Sequence, residues 1–155
     1  MEHILELLTR EMMVIIIAAM PLMELRGAIP IGVSLGMHPL HATILGILGS
    51  ITPVPILLIY LKPIFQYLRG TKLFRKLVDR TVQRTLNKSS KVKKYSALGL
   101  MIFVALPLPT TGVWSGCLAA ILFNIPFKQA FPAIVIGTTL AGCIMFVLSF
   151  LAISI

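Results

Sequence analysis

Met12-Met13-Val14-Ile15-Ile16-Ile17-Ala18-Ala19-Met20-Pro21-Leu22-Met23-Glu24-Leu25-Arg26-Gly27-Ala28-Ile29-Pro30 is the stretch on which the fold turns. Nine apolar residues, Met12–Met20, run into Pro21, a Glu and an Arg follow, and Pro30 comes before a second short apolar run that ends at Gly36. As a helix, Met12–Met20 rises about 13 Å at ~1.5 Å per residue. That is less than half of a ~30 Å hydrocarbon core. The proline and the charges then stand near the bilayer centre, where a helix is poorly continued.

Composition makes the bilayer the relevant solvent. Of 155 residues, 57% are hydrophobic and 12% charged, with a mean hydropathy of +0.97. A soluble domain carries about 25% charged residues to cover its surface. The chain is therefore expected to be an all-α integral membrane protein, and soluble enzyme folds are excluded. Leu40–Leu61 and Ala130–Ile155 are long and apolar enough to span. Tyr95–Leu106 is another half-length piece, and it ends at a second proline cluster.

The two halves match. Ala19-Met20-Pro21-Leu22 aligns with Ala105-Leu106-Pro107-Leu108, and Pro21 to Pro39 is 18 residues where Pro107 to Pro126 is 19. Pro39 to Gly49 is ten residues where Pro126 to Gly137 is eleven. Each half reads as half-helix, polar break, half-helix, proline corner, full span. Short, interrupted hydrophobic segments in corresponding positions point to discontinuous transporter helices. The expected organisation is one membrane domain over 1–155, with a first repeat at 1–61, a basic connector at 62–94 and a second repeat at 95–155.

Charge orients the repeats. Eleven of the fourteen Lys and Arg residues lie between Lys62 and Lys94, as expected of a cytoplasmic loop under the positive-inside rule. If each broken segment is a re-entrant hairpin, the two enter from opposite faces, an inverted repeat with Lys128 inside and both termini outside. A simple four-span arrangement is the competing topology. In the connector, Phe74, Val78, Val82 and Leu86 form one stripe and Lys76, Arg80, Arg84 and Lys88 another. This predicts an amphipathic helix with its basic face among lipid headgroups, or a solvated loop. No aromatic-basic interleaving accompanies the charges, so no nucleic-acid partner is expected.

Glu24 and Arg26 are the charges within otherwise apolar segments, and intramembrane charges are functional candidates by default. Arg26, beside Gly27, suits bidentate binding of a phosphate or carboxylate, and Glu24 suits proton exchange coupled to transport. A structural ion pair is the alternative. The second break, Pro107-Leu108-Pro109-Thr110-Thr111-Gly112-Val113-Trp114-Ser115-Gly116, is neutral. Thr110 and Thr111 are expected to cap the following half-helix or donate to a substrate, and that helix N-terminus favours anions. Trp114 is expected to stack on an apolar substrate or to pack between the hairpins. The candidate substrate- and ion-binding set is Glu24, Arg26, Gly27, Pro30, Pro107, Pro109, Thr110, Thr111, Gly112 and Trp114.

Other candidates carry less. Cys117 and Cys143 sit in apolar stretches as packing residues, without a disulfide or metal partner at ligand spacing. His38 and His41 are spaced i, i+3 with no carboxylate nearby in sequence, so no metal is expected. The N-terminus lacks the basic region of a cleavable signal peptide. No Ser/His/Asp set or carboxylate pair supports hydrolysis, so neither enzyme activity nor a cofactor is expected.

Glu24-Leu25-Arg26-Gly27-Ala28-Ile29-Pro30, the Thr52-Pro53-Val54-Pro55 break and Phe103 through Gly116, with its Pro107-Leu108-Pro109-Thr110-Thr111-Gly112-Val113-Trp114-Ser115-Gly116 string, resemble the small multidrug-export protein family. The likeness covers nearly the whole chain and implies a membrane transporter. The hairpin-plus-span repeat is also similar in architecture to DedA-type (VTT-domain) proteins, which implies lipid-carrier translocation driven by ion gradients.

The expected function is thus a small secondary transporter or flippase of an amphiphilic or anionic small molecule or lipid headgroup, ion- or proton-coupled, in a prokaryotic plasma membrane. Two alternatives compete: a non-transporting adaptor that uses the basic loop to bind lipid or a partner, and a four-helix exporter of cationic drugs. Membrane lipid and a second copy of the chain are the expected partners. The homodimer is expected to pack through Gly46, Gly49, Ala141 and Gly142, small residues that allow close helix approach.

Overall fold

The computed structural model describes residues 2–68, 90–106 and 111–154. Every regular element among them is a helix: α1 (Glu2–Ala19), α2 (Glu24–Ser34), α3 (Pro39–Ile51), α4 (Val54–Leu68), α5 (Ser90–Ala105), α6 (Val113–Leu122) and α7 (Phe127–Ser154). The amphipathic connector helix and its Lys76, Arg80, Arg84 and Lys88 lie outside the described residues.

Prolines and left-handed residues set the boundaries. α1 stops at Ala19, just ahead of Pro21, and the chain turns through Met20–Met23 into α2. α2 ends on Gly36, whose φ of 83° suits glycine. The Met37 amide donates back to the Gly32 carbonyl, and the Gly36 amide to that of Val33. This double bond pattern is the Schellman motif. Asn124, at φ 55°, ends α6 with the same two bonds, from Ile125 to Ala120 and from Asn124 to Ile121. A proline follows each: Pro39 opens α3, with the His38 ring nitrogen accepting from the Leu40 amide at 3.3 Å, and Pro126 precedes α7.

Two stretches are long and apolar enough to cross a membrane: Pro39–Ile64, which joins α3 and α4 across a turn at Thr52-Pro53, and Phe127–Ala152 within α7. At 26 residues each, they rise about 39 Å at ~1.5 Å per residue, more than a ~30 Å hydrocarbon core. α1 is longer than its nine-residue apolar run. It starts at Glu2 and extends over 18 residues, because the polar turn before Met12 continues the helix, with Arg10 reaching Glu6 at 4.0 Å.

α1 and α2 pack antiparallel. Arg10 Nη1 donates to the Leu35 carbonyl at 2.9 Å near one end, and Val14 packs against Gly32 further along. α3 lies beside α1 in the same direction: His41 Nε2 is 3.3 Å from Glu11, and Ser50 Oγ donates to the Ala18 carbonyl at 3.0 Å. α7 joins the halves. Gly137 abuts the Met101 carbonyl and Val104 on α5, and Gly142 abuts Ile47 on α3. The largest core cluster gathers Val54, Leu57 and Leu58 of α4, Leu100 and Val104 of α5, Val113, Cys117 and Ala120 of α6, and Ala130, Ala133 and Ile134 of α7.

The small residues expected to face a second copy are used inside the chain. Gly46 lies against Leu25 and Ile29, Gly49 against Ala18 and the Ile15 backbone, Ala141 in a cluster with Leu25 and Ile29, and Gly142 against Ile47. A dimer has no surface to gain from them.

Candidate functional site

The site forms where the turn between α1 and α2 meets the segment between α5 and α6. Glu24 opens α2 with φ at 48°. A non-glycine residue in the left-handed region costs of order 1–3 kcal/mol and persists only where its surroundings hold it. Its carboxylate is held in turn: Oε1 accepts from the Trp114 amide at 3.2 Å. That amide lies in the first turn of α6, so Glu24, 7% exposed, caps a helix ninety residues away in sequence. A Cβ at Gly112 would overlap the carboxylate, which is why a glycine precedes α6. The Gly112 amide is satisfied by Ser115 Oγ at 2.8 Å.

Arg26 serves the other edge of the same gap. Its Nη1 donates to the Thr111 carbonyl, and its Nη2 to the carbonyls of Leu106 and, at 3.4 Å, Val104, and to Thr111 Oγ1 at 3.2 Å. Val104 lies in the last turn of α5 and Leu106 directly follows it, where helical carbonyls lack intrahelical partners. The acid thus meets the positive end of α6 and the base the negative end of α5, as the helix dipoles favour. The second segment answers in kind. Trp114 Nε1 donates at 3.2 Å to the carbonyl of Ala19, the last residue of α1.

A cavity of about 270 Å³ lies against this junction. Glu24, Arg26, Thr111 and Ser115 provide its polar lining, and Pro21, Leu22 and Met23 line it from the turn.

Six of the predicted site residues come together here: Glu24, Arg26, Gly27, Thr111, Gly112 and Trp114. Pro30 does not; it is exposed on α2 and lines no part of the cavity. Pro107, Pro109 and Thr110 lie outside the described residues. Thr111 does not cap the following helix, since its hydroxyl donates backwards to the Leu106 carbonyl at 2.7 Å. Arg26 is turned to backbone carbonyls rather than held open for a headgroup. Sequence reasoning missed Ser115, although a serine three residues after the residue preceding a helix is a capping signal. It also missed Glu11 as the carboxylate beside His41, which no local spacing reveals. Among the described residues, no group of three metal-ligating side chains converges.

The sequence profile of the small multi-drug export protein family matches residues 24–144. The chain belongs to that family. The match runs from Glu24 through both halves of the junction and into α7. No curated protein and no solved structure matches the chain. Family membership, the composition and the two long apolar stretches point to a membrane protein with a transporter-type role. The likeness to DedA-type proteins draws no support from these comparisons.

Proposed function

We propose that this family member is a secondary transporter of amphiphiles with a small anionic headgroup, and that the junction of the two breaks is its site. One observation carries the reading: the acid and the base of the first break each occupy a helix end of the second, beside a cavity. Static packing does not require such an arrangement, since two charges in an apolar segment each cost at least about 2.5–3.5 kcal/mol on insertion scales. In transport, protonation of Glu24 releases the Trp114 amide to an anionic headgroup, and Arg26 shifts from the α5 carbonyls towards that charge. Return of the Glu24 carboxylate to α6 expels the headgroup. Binding and proton exchange then compete for the same donor, which couples them.

The same reading takes the chain as an inverted repeat of re-entrant hairpins. Its support is the paired construction of the halves: α2 and α6 end in the same Schellman geometry, a proline follows each, and a long apolar stretch comes next. The reciprocal bonds of Arg26 and Trp114 across the tips add to it. Lys128 and the basic connector then lie in the cytoplasm. Impermeant labelling of single cysteines at Asn87 and Lys128, in a Cys117→Ala, Cys143→Ala background, tests this. Reaction of Lys128→Cys from outside restores the four-span topology.

Function is tested in proteoliposomes with Glu24→Gln, Arg26→Gln and the double variant, following efflux of a fluorescent anionic amphiphile alongside thermal stability. Loss of efflux in protein that remains folded supports the site. Efflux at the unsubstituted rate in all three variants means that the charges only brace the fold.

A further inference from the structure

The cavity is small and partly open. About 270 Å³ equals the share of about nine liquid waters at ~30 Å³ each, and it falls below the ~300–1,000 Å³ of pockets that enclose a drug-sized ligand. A space of this size on Glu24, Arg26 and Thr111 suits a headgroup. A longer molecule extends out over the lining, whose turn residues Leu22 and Met23 are apolar and exposed. Leu22 is 93% exposed, and Met23 is 50% exposed. From the turn, exposed Met20, Ile16, Met12 and Leu8 continue along α1 at four-residue steps, a single face of the helix about 18 Å long at ~1.5 Å per residue. Methionine and leucine accommodate varied apolar shapes without directional demands.

Building on the transporter reading above, we infer that the substrate is a bilayer-dissolved single-chain amphiphile that enters sideways past Leu22. Its headgroup seats in the cavity and its tail lies along the Leu8–Met20 face of α1, still in the acyl-chain layer. Lipid is as apolar as leucine, so tail contact with this face yields no hydrophobic gain over contact with lipid. The tail serves to concentrate the headgroup at the site, and affinity measured against bilayer mole fraction does not depend on tail length.

Trp114, the only tryptophan in the chain, lines the cavity and reports on it. The test titrates the protein, in phosphatidylcholine nanodiscs, with decyl, dodecyl and tetradecyl phosphate while following Trp114 fluorescence. The expected result is a saturable change whose three curves coincide on a mole-fraction axis. On an aqueous-concentration axis they separate roughly 15-fold for every two methylenes, from ~0.8 kcal/mol per methylene. Inorganic phosphate is silent at the concentrations at which the alkyl phosphates saturate. A matching response to inorganic phosphate overturns the lateral route and leaves the site in place. A matching response to dodecanol means that the signal reads the bilayer and overturns the inference. No saturable response to any alkyl phosphate overturns the inference and the transport-site reading together.

Discussion

The first break carries Glu24 and Arg26, whereas the second, from Pro107 to Gly116, carries no charge at all. In the structure the neutral one supplies two interrupted helix ends and the charged one supplies the groups that satisfy them. A break in a helix creates a partial positive end and a partial negative end, each worth about half a charge. Here those ends face an acid and a base in the matching order. The two breaks are halves of one electrostatic unit, and neither is complete on its own.

The strongest way to break this comparison is to exchange the charges. Glu24→Arg combined with Arg26→Glu keeps a neighbouring acid and base but sets each against the wrong helix end. With up to about 2 kcal/mol at stake at each end, a loss of up to about 4 kcal/mol is expected, read as collapse of monodisperse protein in detergent. A mere ion pair would tolerate the exchange. Arg26→Gln alone is expected to cost about 3 kcal/mol, because acceptors at the end of α5 lose a charged donor. Arg26→Lys keeps the charge without the forked donors and should recover only part of that in a thermal melt.

Gly112→Ala sharpens the comparison from the neutral side. Its Cβ displaces the Glu24 carboxylate from α6, with an expected cost of about 1–3 kcal/mol. In a Glu24→Ala background the same change should cost much less, and a double-mutant cycle in unfolding free energy reads the coupling. Equal costs in both backgrounds would mean that Glu24 does not sit against Gly112. The smallest effect is expected for Trp114→Phe, which removes one hydrogen bond to the Ala19 carbonyl for roughly 0.5–1.5 kcal/mol. Retention of the full melting temperature would remove Trp114 from the junction's hydrogen bonding.

What was legible in the sequence were the interruptions, because prolines, Glu24 and Arg26 stand out in apolar surroundings. The matched spacing of the halves predicts that they meet, and Arg26 does reach Thr111. The partners were not legible. Arg26 looks like a group waiting for an anion, but its acceptors are carbonyls of Val104, Leu106 and Thr111, and backbone atoms leave no mark in residue type. Thr111 likewise turns back to Leu106 instead of forward to α6. The extent of α1 was hidden because hydropathy counts only the apolar turns and the helix runs on to Glu2. The small residues were recognised as contact residues but assigned to the wrong contact, since composition does not say whether a helix face meets its own chain or another.

The separation between Arg26 and Thr111 along the chain is 85 residues, and this has a consequence for biosynthesis. At ~5–20 residues per second, roughly 4 to 17 s pass between synthesis of the charged turn and synthesis of the helix ends that complete it. During that interval the first two helices exist without the groups that balance Glu24 and Arg26. The charged turn reaches its final partners only when the second half of the protein emerges. Closure of the junction therefore comes late, after synthesis of the half that carries the second break.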